Sequence, residues 1–178
     1  MDRPTYAFDD RGFYINNALS IVAGATPFLA CILNSPCTWW FLKATCTDLQ
    51  GGFIQAHNNN QAPIPIPKAA DGERIALDVL GRVLCMSELG EFTARFEQLA
   101  NGLVYELFFP DDLHAASIRL FDACDRENVG RLATLNGVAL QAAVEALTER
   151  IFSNSHPIYA MLFDLQSLDV VRIIEARD

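Results

Sequence analysis

Four neighbouring residues pose the first chemical question. Asn34-Ser35-Pro36-Cys37, followed by Trp39 and Trp40, lies close to an Asn/Asp-Pro-Pro-Tyr/Phe loop. Such a loop holds an exocyclic amino group in place for methyl transfer. The flanking residues favour another reading. Thr26-Pro27 and Ser35-Pro36 each place a capping hydroxyl residue before proline, the pattern of a helix start. Phe28, Leu29, Ile32 and Leu33 follow the first start at helical spacing, and Trp39, Trp40 and Lys43 follow the second. Asn34-Ser35 therefore ends one short helix and begins the next. A catalytic loop also needs a cofactor-binding strand and glycine-rich turn, and no G-x-G-x-x-G or similar loop occurs. The stretch reads as a helix cap.

Other reactive combinations stay incomplete. Pro110-Asp111-Asp112 has the opening of a PD-(D/E)xK nuclease motif, which needs a lysine near the second acid to help position metal and water. The lysines are Lys43 and Lys68, both upstream. Pro110 is instead expected to end the apolar run "LVYELFF", with Asp111 or Asp112 capping the next helix. The acid pair Asp9-Asp10 sits among turn residues. There is no G-x-S-x-G and no Walker loop. His57, His114 and His156 lack ligand spacing and read as loop or cap residues. Cys31, Cys37, Cys46, Cys85 and Cys124 contain no C-x-x-C pair and read as reduced, buried thiols of a cytoplasmic protein. No catalytic residue and no metal site is expected.

The elements that must carry these residues follow from patterning. At 178 residues and 51% apolar content, with a mean hydropathy of +0.17, the chain can bury a core. Its formal charge of −9 is uneven. Residues 1–68 hold four basic and four acidic residues, whereas 69–178 hold nine and eighteen. The seam falls at "APIPIPK", whose alternating prolines force extended backbone. Residues 12–42 are uncharged, but Asn16, Asn17, Gly24, Pro27, Asn34 and Pro36 divide them into pieces too short to span a bilayer. Neither a membrane span nor a signal peptide is read here.

"TYAF" and "GFYI" around "DDRG" suggest a hairpin, and "SIVAG" a further strand. Short helices are expected at 27–34 and 36–46, then a strand at "GFIQA" and a polar loop at "HNNNQ". Beyond residue 70 apolar stripes at helical spacing mark helices around 75–84, 89–103, 113–124, 140–151 and 158–165. The ending "DVVRIIEARD" fits strand or helix. The expected fold class is α+β, with a small strand–helix unit at the N-terminal end followed by a mainly helical C-terminal region.

The order of several segments is the most specific signal. "FYINNALSIVAG", "FLACILNSP", "TWWFLKATC", "GGFIQA" and "APIPIPKA" resemble, in that order, the TaqI-like carboxy-terminal specificity domain. That domain is the target-recognition part of adenine-specific DNA methyltransferases and of restriction enzymes fused to them. "ERIALDVLGRVL", "NGLVYELFFPDDLHAASIRLF" and "HPIYAMLFDLQSLDVVRIIEA" resemble the helical tail of the fused enzymes. The resemblance implies that residues 1–68 are part of a recognition domain and that 69–178 form an acidic helical region. It implies a non-catalytic part of a restriction–modification enzyme, working with a methyltransferase domain that binds S-adenosylmethionine. This chain itself would hold no cofactor. Double-stranded DNA would be the partner, contacted within residues 43–68. The candidates there are Lys43, Gln55, His57, Asn58, Asn59, Asn60, Gln61 and Lys68, because lysine neutralises phosphate and amides match adenine edges. The alternative is a helical assembly module that never touches DNA.

Overall fold

The structure, a computed structural model, describes residues 5–9, 12, 14, 21–49, 53–55, 58–86 and 92–176. Two short helices, α1 (Pro27–Asn34) and α2 (Pro36–Thr45), come first. Proline begins each, and Ser35 joins them: its Oγ accepts from the Thr38 N–H and donates to the Ile32 carbonyl. The capping role read for Asn34-Ser35-Pro36 is therefore the one found. Strands β1 (Thr47–Leu49) and β2 (Phe53–Gln55) pair antiparallel, and the single turn α3 (Asn58–Gln61) follows. An extended segment then leads to the helical region.

That region comprises α4 (Asp71–Leu84), α5 (Thr93–Phe108), α6 (Pro110–Ala115), α7 (Leu120–Arg126), a 3₁₀ helix at Val129–Thr134, α8 (Gly137–Ile151), α9 (Pro157–Leu165) and α10 (Asp169–Glu175). The stripes expected at 75–84, 140–151 and 158–165 lie on helices, the 89–103 stripe does so from residue 93 onward with residue 89 outside the described residues, and the ambiguous ending is helical over Asp169–Glu175. The 113–124 stripe is broken in two. Ser117 adopts left-handed backbone at φ 64°, its N–H bonds the His114 carbonyl, and the Ile118 N–H reaches back to Leu113. This is a Schellman stop, sealed by buried Leu113 and Ile118.

The expected α+β class is overturned: the fold is all-α. The paired strands are three residues each, too small to form a layer, and the core is built from helices. A strand at 21–24 is also overturned, since Ile21–Gly24 is turn and irregular backbone with Ile21 and Val22 exposed. Residues 5–9 are not strand either, nor are residues 12 and 14 of the second arm of the expected hairpin, whose residues 13 and 15 lie outside the described residues. The physical reason is a shortage of burial: β-branched and aromatic residues make strands when a pleated surface can cover them. Here the helices meet one another instead.

The core crosses the charge seam. α1 packs along α4, α4 along α5, and α10 returns against α2. Phe28, Ile32 and Cys37 share one apolar cluster with Leu77, Leu80, Leu99, Leu103, Leu120 and Ile174. A smaller cluster pins the proline-rich segment, with Ile64 buried against Leu42 between Leu33 and Trp39. Between α1 and α4 the backbones approach closely at Gly81, where an added Cβ would lie 2.7 Å from the Pro27 carbonyl oxygen. Asp78 of α4 completes the junction by accepting the Phe28 N–H at 2.7 Å, a role that Thr26 leaves open.

Candidate nucleic-acid interface

The helix–strand–turn segment between Pro36 and Gln61 gathers several of the expected DNA-contacting residues. Lys43 lies exposed on the last turn of α2, with its ammonium 5.8 Å from the centroid of Trp39. Two residues later, the Thr45 carbonyl accepts from Asn60 Nδ2 at 3.2 Å. This bond ties α3 to the C-terminal end of α2. Strand β1 starts just beyond that end, and Gln55 of β2 pairs with Thr47 in register. Lys43, Gln55 and Asn60 are thus brought together around one helix end, although 17 positions of sequence separate Lys43 from Asn60.

The amide run is helical rather than a loop, which corrects the expectation for "HNNNQ" over Asn58–Gln61. Two side chains anchor this single turn. Asn60 holds Thr45, while Gln61 Oε1 accepts from the Tyr6 hydroxyl at 3.2 Å. Asn59 remains exposed, and Asn58 opens the turn. Lys68 is exposed on the extended exit, away from the anchored turn in sequence. His57 lies outside the described residues. Between Gly12 and Lys68 the sequence contains one acid, Asp48, against Lys43 and Lys68, so this stretch escapes the acidity of the helices.

The remaining polar clusters are structural. Glu106, 6% exposed in the middle of an apolar run, accepts from the Leu120 and Phe121 N–H groups at 2.7 and 3.0 Å. It caps α7 from α5, and its other oxygen meets His114 Nε2 at 2.9 Å. His114 therefore sits within α6 as a packing partner rather than in a loop or cap. His156 does cap: its Nδ1 accepts from the Ile158 N–H at the start of α9. Glu127 bonds both Arg150 at 2.6 Å and His156 at 3.2 Å, and the Arg150 bond leads in holding its carboxyl below the usual range. Asp111 and Asp112 fall inside the first turn of α6, with Phe109 at the cap position instead.

Burial pushes the thiols of Cys31, Cys37 and Cys124 up to about 12, far from nucleophilic at neutral pH. Cys85 departs from the buried expectation and is exposed at the end of α4. Among the described residues no three His, Cys, Asp or Glu side chains assemble in a way that could hold a metal ion. No helix among them is long and apolar enough to cross a membrane. Comparison with protein-family models, curated proteins and solved structures finds no match to the chain.

Proposed function

We propose that this chain is a non-catalytic part of a restriction–modification DNA methyltransferase and contributes to recognition of the DNA target. Catalysis and S-adenosylmethionine belong to an adenine-specific methyltransferase domain that acts with it. On this reading the protein works in the cytoplasm, on double-stranded DNA.

The observation that carries the reading is the convergence of Lys43, Gln55 and the Asn58–Gln61 turn on the C-terminal end of α2. A cation there can neutralise a phosphate, and amides held on a fixed turn suit the donor–acceptor pattern of adenine in the major groove. The ordered motifs from "FLACILNSP" to "APIPIPKA" agree with it. Two exposed lysines supply few phosphate contacts, so most of the affinity must come from the catalytic domain. The test is duplex binding by that domain with and without this chain. A sequence preference that appears only with the chain, and fades with Lys43→Gln and Asn59→Ala, supports the reading. An unchanged preference refutes it.

A second reading, a helical assembly module without DNA contact, draws on a different observation. Tyr159 and Phe163 are exposed four residues apart on α9, within the acidic region. Loss of association with the catalytic domain in Phe163→Ser, with DNA preference independent of Lys43 and Asn59, would favour it.

A further inference from the structure

A cleft of about 480 Å³ opens where α2, α5, α9 and α10 meet. It is within the size range of small-molecule sites. Its floor is apolar, with Leu162, Leu165 and Val171 buried, and the Tyr105 hydroxyl donates to Glu175 Oε1 at 3.1 Å along one side. The half-buried ring of Trp39 forms a wall.

Three side-chain amides line the same space: Gln98 and Asn101 from α5 and Gln166 from the end of α9. None of the three has a side-chain hydrogen bond among the described residues, although Gln98 and Asn101 are half-buried. Amides carry a donor and an acceptor side by side, matching the edge of a nucleobase. An indole face is a stacking platform for any base. Two exposed charged residues also line the cleft: Lys43, its ammonium 5.8 Å from the Trp39 centroid, and Glu97. The first suits a phosphate and the second accepts from sugar hydroxyls.

We propose that this cleft binds a single nucleotide unit, its base stacked on Trp39 and held at its edge by Gln98, Asn101 and Gln166, its phosphate at Lys43. The proposal does not rest on duplex recognition, from which only Lys43 is shared. The unit is either a free mononucleotide or one unpaired nucleotide of a strand; the chemistry of recognition is common to both.

Trp40→Phe leaves Trp39 as the only tryptophan, so its fluorescence reports on the cleft directly. In that background, AMP should quench Trp39 saturably. Asn101→Leu should weaken binding about tenfold, the loss expected when a bound polar edge goes unpaired. Gln166→Ala, on an exposed position, provides the same readout should Asn101→Leu fold poorly. Lys43→Gln should reduce AMP affinity to that of adenosine, because only the phosphate contact is removed. A trideoxyadenylate that binds more tightly than AMP assigns a strand as the source, and one that binds no better assigns a free nucleotide. Quenching that rises linearly without saturation overturns the proposal. So does saturable quenching that neither amide substitution alters. Duplex binding is not involved, so failure here leaves the recognition reading standing, and the converse holds.

Discussion

Glu106 shows how a single side chain organises its neighbours. Buried carboxylates need partners, and this one has two backbone N–H groups and an imidazole. Glu106→Ala removes the cap and strands buried donors, so urea denaturation should show a loss of about 2–4 kcal/mol. Loss below about 0.5 kcal/mol would mean that water replaces the carboxylate without cost. Sequence patterning offers a faint signal for this residue, a lone acid inside "LVYELFF", but the backbone groups it would cap are set by tertiary packing. Asp78 was hidden for the same reason: it caps α1 from 50 residues away. Ser35, whose cap is local, was readable from its neighbours alone.

Glu127 carries a pH dependence whose sign follows from its depressed pKa. A carboxyl with a lower folded than unfolded pKa contributes stability above the unfolded value, and that contribution is lost as pH falls through the folded value. The Arg150 and His156 bonds to Glu127 should therefore stabilise the protein at neutral pH and fade below the ordinary carboxylate value of 4.5. Arg150 is 55% exposed, so the pair should be worth under about 1 kcal/mol. Glu127→Gln should flatten the acidic limb of a Tm-against-pH curve by that small amount; a steeper limb would contradict the assignment.

Between elements, close approach decides the outcome of small substitutions. Glycine to alanine inside a helix ordinarily gains up to about 1 kcal/mol. At Gly81 the added methyl would meet Pro27 backbone at 2.7 Å, and backbone cannot step aside. Gly81→Ala should thus destabilise by about 1–3 kcal/mol in chemical denaturation. At Gly102 the nearest atoms are the ends of Leu120 and Leu162, so Gly102→Ala should cost less. Equal costs at the two positions would contradict the packing of α1 on α4. The Schellman stop gives the opposite sign. Ser117 is exposed with φ 64°, and Ser117→Gly should stabilise by up to about 1 kcal/mol.

The same scale explains what the sequence could and could not convey. Apolar stripes of 3.6-residue period are local, and α4, α5, α8 and α9 follow them. The Ser117 break leaves the 113–124 stripe intact while splitting its helix, so periodicity alone misses it. "HNNNQ" reads as a loop because asparagine favours turns. Its helical turn is held by Asn60 on Thr45 and Gln61 on Tyr6, contacts that span 15 and 55 residues. The clustering around α2 is legible only in part: Lys43 and the amides stand out as residue types, whereas their meeting at one helix end depends on pairing between Thr47 and Gln55. Trp39, Gln98 and Asn101 gave no warning of a shared cleft, since α5 and α2 meet only in the fold.

For the whole molecule, charge and core tell different stories. A single apolar cluster runs from Phe28 to Ile174, while the acidic excess stays beyond residue 68. The chain therefore presents a nearly neutral helix–strand–turn surface on an acidic helical body. On the proposed reading, such a body disfavours DNA approach in general, leaves contact to the Lys43 surface and relies on the catalytic domain for affinity.

A salt titration of duplex DNA binding tests this account most directly, comparing the catalytic domain alone, with this chain, and with its Lys43→Gln variant. The account predicts that the chain adds a sequence preference and steepens the dependence of log K on log salt, and that Lys43→Gln reduces that slope by about 1, one phosphate contact. Identical slopes and preferences with and without the chain would contradict it, and would leave the acidic helices as an assembly surface.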